Sequence, residues 1–317
     1  MFASYNSRLD QIFVGEIMDF KIHDVYDVIL KIIMLVYGVI FLEYVGIDKK
    51  IKRLLKTEFT RMDGSKVYLD FLCLLEDGTL CHIEFQFPKA RPVDLDRFFD
   101  YNITAQVRHG ALTETLVINF TSRTNAIKIR QIGRSKSFHP KHFYLGDVDF
   151  NGYWRKINMK AESNLKLNAF EEISLMLMCL IPECKIKAKM LDKISKLLKK
   201  EELFDEKRLG YIQSVIKLEI DNLISEDEKN KIKEEIDMGP EAAQLIVDVI
   251  GEVNSKTLYE TEQKGREEGR AEGRAEGMVE GRIRAMEEIA ISLKDVLSVE
   301  EIAERTGLTL ERVNELI

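Results

Sequence analysis

Residues 66–87, KVYLDFLCLLEDGTLCHIEFQF, decide the fold because they read as two strands joined by one tight turn. Apolar or small side chains occupy the odd positions of both arms, and polar side chains at even positions include Asp70, His82, Glu84 and Gln86. A period of two is typical of β-strands, whose successive side chains point to opposite faces of a sheet. The pattern therefore predicts a hairpin with one face for a core and one face for a polar site.

The length of the turn decides whether Asp70 and Glu84 lie on the same face. A two-residue turn would place Asp70 opposite Phe85, so that the two carboxylates would lie on opposite faces. A three-residue turn over 76–78, with Gly78 in the left-handed conformation, places Asp70 directly opposite Glu84. The same register gathers the apolar residues of both arms on one face. We therefore expect the three-residue turn, with the Cβ atoms of the two acids roughly 4.5–5.5 Å apart.

Two carboxylates this close repel each other, and one of them stays protonated unless a cation lies between them. Side by side they suit a hard metal ion that prefers oxygen ligands, such as Mg²⁺. The alternative is that Asp70 and Glu84 are two solvated acids on the exposed face of a hairpin. Spacing alone leaves both interpretations open, and the neighbouring His82 and Gln86 favour the site.

A third strand is predicted over residues 52–61, antiparallel to the first arm of the hairpin. A three-residue turn between them would place Glu58 opposite Tyr68 and Lys56 opposite Asp70. Both charged residues would then share the polar face with Asp70. They are either auxiliary site residues or part of a charged rim.

The surrounding segments predict an α/β fold with a mixed sheet flanked by helices. Residues 25–46 are apolar nearly all round, which indicates a buried helix or a pair of strands. Residues 93–110 read as a helix that ends near a glycine, and residues 113–121 as a buried strand. Two further edge strands are predicted at 143–145 and 153–157. The two cysteines of the hairpin are expected to face each other in the core as free thiols.

Residues 115–146 contain no aspartate or glutamate, although the whole chain has a net charge of −7. In an acidic protein this local excess of positive charge is the best candidate for a phosphate-binding surface. A solvated loop that happens to be basic is the alternative. The basic residues of this segment are Arg123, Lys128, Arg130, Arg134, Lys136 and Lys141.

From about residue 162 the hydrophobic pattern is helical. Helices are predicted at 168–181, 185–200, 206–223, 226–235 and 240–252. Residues 264–284 carry a glycine at every fourth position, which predicts either a helical arm that pairs in an oligomer or a disordered hinge. The last twenty residues have helix-turn-helix spacing around Gly307, suited to a folded cap, a protein contact or DNA binding.

Several of these features, in the same order, resemble the PD-(D/E)XK nuclease superfamily, and in particular its recombination-promoting nuclease/putative transposase family. The features are LLKTEFT at 54–60, LDFLCLLEDGTLCHIEFQ at 69–86, Arg97 with Tyr101 on the next helix, and the EGR repeat before a small helical tail. The resemblance covers most of the chain, and the block at 66–87 is its most specific part. It implies a restriction-endonuclease-like core followed by an all-helical C-terminal region.

The resemblance implies a metal-dependent endonuclease that cleaves DNA and promotes recombination or transposition-like events. In such an enzyme Asp70 and Glu84 would hold Mg²⁺ or Mn²⁺. Gln86 stands where the superfamily usually has a lysine, and its amide would orient the water or contact the phosphate. Supporting roles fall to Glu58, Arg97 and Tyr101. The competing interpretation is a nuclease-fold scaffold that oligomerises through its helical tail.

With 317 residues the chain is long enough for several domains. We expect a nuclease-like domain at 1–160, a helical domain at 161–255, a glycine-repeat arm at 256–285 and a small tail at 286–317. The longest apolar run, residues 32–42, is shorter than the roughly 20 residues that cross a membrane. No secretory signal pattern opens the chain, so we expect a cytoplasmic protein whose partners are DNA and further copies of itself.

Overall fold

The computed structural model describes residues 25–60, 65–87, 91–123, 129–131, 136–182, 184–232, 236 and 239–317. In the last range it describes the backbone, but not the side chains, of residues 254–269, 271–272, 275–276 and 279–280. The chain divides into two compact units, Met1–Ser255 and Lys256–Ile317. None of the described helices combines the length and the hydropathy that crossing a membrane requires.

A five-stranded mixed sheet forms the centre of the first unit, in the order β1-β4-β5-β6-β9. The strands are β1 Ile51–Leu54, β2 Glu58–Thr60, β3 Lys66–Tyr68, β4 Phe71–Leu75, β5 Leu80–Gln86, β6 Thr113–Asn119, β7 Arg130–Gln131, β8 Ser137–Phe138 and β9 Lys141–Tyr144. Strands β1, β4 and β5 are antiparallel, whereas β5, β6 and β9 are parallel. Strands β2 and β3 form a separate pair, as do β7 and β8. The predicted mixed sheet is confirmed.

The central hairpin has the register that the three-residue turn predicts. Phe71 pairs with Ile83, and Cys73 pairs with Cys81. Gly78 has a φ of 84°, a conformation that residues with a Cβ rarely adopt. Both cysteines are buried free thiols, as expected. The hydrophobic pattern and the turn therefore agree on one pairing.

The single strand predicted over residues 52–61 is divided into β1 and β2. Glu58 pairs with Tyr68 as predicted, whereas the predicted turn at residues 62–64 lies outside the described residues. The backbone hydrogen bonds on the two sides of the break differ in register by one residue. Only Lys56 lies between them on one strand, but both Asp70 and Phe71 lie between them on the other. This bulge corrects the predicted one-to-one pairing of Lys56 with Asp70.

Eleven α-helices surround the sheet or follow it in the described part of the chain. They are α1 Val25–Tyr37, α2 Val39–Tyr44, α3 Pro92–His109, α4 Phe150–Glu162, α5 Ala169–Leu177, α6 Lys187–Leu198, α7 Glu206–Leu223, α8 Glu226–Lys229, α9 Pro240–Leu293, α10 Val299–Thr306 and α11 Leu310–Leu316. Helix α3 is the crossover that parallel strands β5 and β6 require. It ends at Gly110, which adopts the left-handed conformation, as the sequence predicts.

At two segments the structure decides a question about secondary structure that the sequence left open or predicted wrongly. Residues 25–46 are helical, not a strand pair, and the helix is interrupted at Gly38, whose φ is 47°. The predicted strand at 153–157 is wrong, because these residues lie inside α4. The Asp149 carboxylate caps this helix by accepting the Gly152 N–H at 2.8 Å. The buried residues of α4 follow helical spacing, and the apolar run at 153–157 was too short to show this.

Both faces of the central sheet are buried. One face carries the odd-numbered residues of the hairpin, such as Ile83, and packs in a core that continues through α1, α5 and α7. Helix α3 covers the other face, where Leu72 and Leu80 pack with Tyr101. The even-numbered face is therefore not the exposed surface of a hairpin. The main core contains residues from before and after position 160, where the first predicted domain boundary lies. The division of the chain into four domains stays a prediction.

The second unit contains the end of α9 followed by α10 and α11. Ala290, Ile302 and Val313 form its small hydrophobic cluster, and all three are fully buried. Gly307 joins the two short helices with a φ of 75°, at the predicted turn. The glycine-repeat segment lies within α9, so its backbone is helical. Its pairing in an oligomer stays a prediction.

Candidate active site

Asp70 and Glu84 lie where β4 and β5 separate, and each carboxylate is bonded to the opposite strand. The Asp70 N–H donates to Glu84 Oε1 at 3.2 Å, and the Phe85 N–H donates to Asp70 Oδ2 at 2.8 Å. Both acids are buried, with 2% of Asp70 and 0% of Glu84 exposed. The side chains satisfy backbone groups that the ladder no longer pairs. The structure therefore brings together the two acids that the hairpin register predicts as neighbours.

A buried chain of hydrogen bonds fixes the orientation of Glu84. His82 Nε2 lies 2.7 Å from Glu84 Oε1, and His82 Nδ1 lies 3.1 Å from the Thr115 hydroxyl. The Asn102 amide donates to the same hydroxyl at 3.0 Å. A carboxylate can only accept, so we infer that His82 carries a proton on Nε2. Residues from β5, β6 and α3 together hold one oxygen of Glu84.

The second oxygen of Glu84 has no hydrogen-bond partner among the described residues. This atom, Oε2, is buried, as are two other polar atoms without such a partner, Gln86 Oε1 and the Tyr144 hydroxyl. Gln86 and Tyr144 flank Asn119 in adjacent strands of the sheet, at the same level. Burying a polar atom without a partner costs about 1–3 kcal/mol. These three buried atoms, on Glu84, Gln86 and Tyr144, therefore suit a ligand that supplies the missing hydrogen-bond or metal partners.

Asp70 also lines a cleft of about 420 Å³ at the edge of the sheet. The predicted auxiliary residues Lys56 and Glu58 line the same cleft, whereas Glu84 is not among its lining residues. Lys56 is exposed, and Glu58 forms an ion pair with Lys66 at 2.5 Å. Asp70 thus lies between the solvent-filled cleft and the buried Glu84.

A buried lysine forms one wall of this cleft. The side chain of Lys31 is 5% exposed, and its ammonium donates to Glu252 Oε1 at 2.8 Å. The Thr57 hydroxyl donates to the same oxygen at 2.8 Å. Glu252 belongs to α9, so the beginning of the long helix contributes to the cleft beside Asp70. No pattern in the sequence connects a position this far along the chain with the hairpin.

The two residues predicted on α3 have different surroundings. Tyr101 is buried, and its ring packs edge-on against His82 with the centroids 6.2 Å apart. Arg97 is half-buried, and its guanidinium lies 5.3 Å from the Phe98 ring. Neither residue lines the cleft. Tyr101 therefore contacts His82, a member of the hydrogen-bond chain that holds Glu84.

The basic segment predicted to bind phosphate has acidic partners from neighbouring elements. The Arg123 N–H donates to Asp147 at 2.9 Å, and the two side chains form an ion pair. Arg130 forms an ion pair with Asp96. The partners lie outside the acid-free stretch, so composition could not show this pairing. Lys141 forms an ion pair with Glu114 at 2.7 Å. Of the other three basic residues of the segment, Lys136 is exposed, and Lys128 and Arg134 lie outside the described residues.

The oxygen atoms around Glu84 fit a hard cation that needs only a few ligands from the protein. No group of three or more His, Cys, Asp or Glu side chains converges on a metal position in the described part of the chain. The available donors are the carboxylates of Asp70 and Glu84 and the amide oxygen of Gln86. Mg²⁺ commonly binds one or two carboxylates and completes its shell with water and substrate phosphate. The unpartnered Glu84 Oε2 is the atom that such an ion would satisfy.

Sequence reasoning missed Asn102 and Thr115, although α3 contains a signal for the first. Asn102 lies on the same stripe of the helix as Leu95, Phe98 and Ala105, all of which are buried. A polar residue within a buried apolar stripe usually has a polar partner. Thr115 carries no comparable signal, because threonine is common in strands.

Comparisons with models of protein families, with curated proteins and with solved structures give no match for this chain.

Proposed function

We propose that this protein is a metal-dependent endonuclease acting on DNA, with Asp70 and Glu84 as the ligands of Mg²⁺ or Mn²⁺. The observation that carries the proposal is the state of Glu84. One of its oxygens is held by His82, and the other is buried without a hydrogen-bond partner among the described residues. A preoriented carboxylate oxygen beside a second carboxylate is what a divalent cation requires.

The order of the elements supports the same proposal. The sequence pattern predicts a helix, three antiparallel strands, a helix and a strand, and the resemblance to the PD-(D/E)XK superfamily takes this arrangement as its core. The chain has helices α1 and α2, then β1, β4 and β5, then α3 and the parallel β6. The candidate acids lie at the start of β4 and in β5. Fold alone does not determine function, so the argument depends on the site.

When bound, the metal ion would polarise a scissile phosphate and lower the pKa of a bound water. His82 keeps Glu84 Oε2 directed away from the imidazole, because it bonds the other oxygen. Asp70 lines the cleft, where a phosphate can approach from solvent. Gln86 offers a neutral amide that can orient water or contact phosphate. Lys56, exposed at the same cleft, supplies the positive charge that Gln86 lacks.

A nuclease-fold scaffold without activity is the second candidate, and specific contacts favour it. Arg123 and Arg130, predicted to hold nucleic acid, are paired with acids of the same chain. The net charge of −7 also opposes a polyanion. A scaffold that assembles through the helical tail needs neither free arginines nor a metal. Metal binding at Glu84 distinguishes the two candidates.

The test is nicking of supercoiled plasmid by the purified full-length protein with Mg²⁺, with Mn²⁺ and with EDTA. Asp70→Asn and Glu84→Gln are the test variants, because each keeps the size of the side chain and removes its charge. Glu43→Gln is the matched control, since Glu43 is exposed and is not among the residues that line the cleft. We expect metal-dependent nicking in the wild type and the control, and its loss in both test variants. A parallel assay on single-stranded RNA distinguishes the nucleic acids.

Cleavage that survives both substitutions would show that the site is misplaced. Absence of cleavage in the wild type, together with no metal-dependent rise in Tm, would favour the scaffold. The Tm measurement matters because it reports metal binding even when the DNA substrate is wrong. Circular dichroism of each variant provides the control for folding.

A further inference from the structure

Cys179 and Cys184 form a pair of thiols in the helical part of the first unit. The two side chains are close enough to interact, because each thiol is the largest influence on the pKa of the other. Cys179 is fully buried after the end of α5, whereas Cys184 is half-buried in the connection to α6. Cys184 also lines an open cavity of about 770 Å³. One thiol is therefore accessible from the cavity, and the neighbouring thiol is buried.

The surroundings of this pair favour a thiolate at Cys184. Two acids, Asp192 and Glu228, line the cavity around it, together with five lysines, Lys185, Lys187, Lys189, Lys196 and Lys231. The neighbouring Cys179 thiol, opposed by partial burial and assisted by the Ile186 N–H and Lys187, lowers the pKa of Cys184 to about 6. Thiolate character and access are the two properties that make a cysteine sensitive to oxidation.

A buried carboxyl completes the cluster. Both oxygens of Glu219 are buried without a hydrogen-bond partner among the described residues, and the side chain is close enough to Lys187 and Cys184 to interact with both. Burial raises the pKa of Glu219 well above its usual range, which favours the neutral acid. The Lys187 ammonium donates to the Cys179 carbonyl at 2.5 Å. The nuclease proposal uses none of these four groups.

The other thiol pair of the chain has different surroundings. Cys73 and Cys81 face each other across two strands of the central sheet, with 0% and 1% of their surfaces exposed. They line neither of the two cavities described above. Their burial makes them less accessible to a peroxide than Cys184 is. They therefore provide an internal control of the same chemical type.

We propose that Cys179 and Cys184 form a redox-active pair that hydroperoxides oxidise to an intramolecular disulfide. The Cys184 thiolate attacks a peroxide oxygen, so that an S–O bond forms and the O–O bond breaks. Hydroxide leaves and takes a proton to become water, and Cys184 becomes a sulfenic acid. The Cys179 sulfur then displaces hydroxide from Cys184, and the proton of its thiol completes a second water. Two thiols and one hydrogen peroxide thus give one disulfide and two waters.

The test treats the full-length protein with a small excess of hydrogen peroxide, quenches with catalase and maps disulfides by mass spectrometry without reduction. We expect free thiols to fall from the four present to two, with a Cys179–Cys184 cross-link that dithiothreitol reverses. Cys184→Ser should retain all three of its remaining thiols. Cys179→Ser should accumulate a sulfenic acid at Cys184 that dimedone traps.

Three outcomes would overturn the proposal. The first is a peptide map in which the peroxide leaves both thiols intact, and the second is a cross-link between Cys73 and Cys81 instead. The third is a Cys184–Cys184 bridge between two chains, visible as a dimer on a non-reducing gel. The map is read on the wild-type protein, so the conclusion does not depend on the folding of a variant.

Discussion

Replacing Thr115 with valine removes one hydroxyl from the centre of the buried chain that ends on Glu84. Asn102 keeps its second bond, to the Thr113 carbonyl at 2.8 Å. His82 Nδ1 loses its only described partner in a site from which water is excluded. The valine has the same shape as threonine, so no cavity forms.

The expected loss of stability follows from these contacts. An unpartnered buried ring nitrogen costs about 1–3 kcal/mol, and the added buried methyl group returns roughly 0.8 kcal/mol. The variant should therefore be less stable by about 0.5–2 kcal/mol. Thr113→Val is the matched control, because Thr113 lies on the same strand and its hydroxyl makes only a long bond of 3.4 Å to a carbonyl. It should change stability by less than about 0.5 kcal/mol.

Urea unfolding followed by circular dichroism measures both variants, and calorimetric titration with Mn²⁺ measures metal affinity. If His82 orients a metal ligand, Thr115→Val should weaken Mn²⁺ binding by about 10–100-fold, as loss of an outer-shell partner commonly does. Equal stabilities of the two valine variants would refute the hydrogen-bond chain itself. If stability falls but the affinity for Mn²⁺ is unchanged, the chain of hydrogen bonds has only a structural role.

Three further predictions address other parts of the molecule. Glu252→Ala should lower the free energy of unfolding of the first unit by about 1–3 kcal/mol in urea, because the buried Lys31 ammonium, 5% exposed, loses its carboxylate partner. Glu241→Ala is the control, and an equal effect of the two substitutions would contradict the prediction. Gly78→Ala should cost about 1–2 kcal/mol by the same measurement, since a side chain is strained at a φ of 84° even where space is open. Alkylation of Cys184 by iodoacetamide should rise through a midpoint near pH 6, because the lowered pKa leaves the thiolate above that pH and the thiol below it. A midpoint near pH 9 in peptide-resolved rates would show an unperturbed thiol.

The hairpin could be predicted from sequence because two independent signals specify it. The alternation of apolar side chains selects one register, since a slip of one residue would reverse every side chain, and Gly78 supplies the left-handed conformation that the three-residue turn of this register needs. The helix predicted over 206–223 is confirmed, at the same bounds. By contrast, residues 153–157 are too short a run to distinguish a strand from one turn of a helix. The bulge beside Lys56 depends on backbone pairing, which side-chain periodicity does not encode.

The candidate site was predictable only in its local part. Asp70 and Glu84 are fourteen residues apart and joined by one turn, so their proximity follows from local geometry. The contributions of Thr115, Asn102 and Glu252 depend on how distant segments pack, and no short-range pattern carries that information. The acidic partners of Arg123 and Arg130 were missed for the same reason. Local charge counts describe a segment, whereas a binding surface is a property of the folded chain.

The polar side chains buried between α3 and the sheet are themselves an argument that this face of the sheet has a function. Apolar side chains of similar volume at such positions are often at least as stable as a buried ionic group. Here the polar side chains include a carboxylate, an imidazole and an amide, and Glu84 keeps one oxygen without a partner among the described residues. A purely structural network would be expected to satisfy that atom. The arrangement is what we expect when a ligand supplies the missing contact, and Mn²⁺ titration of Glu84→Gln tests that inference directly.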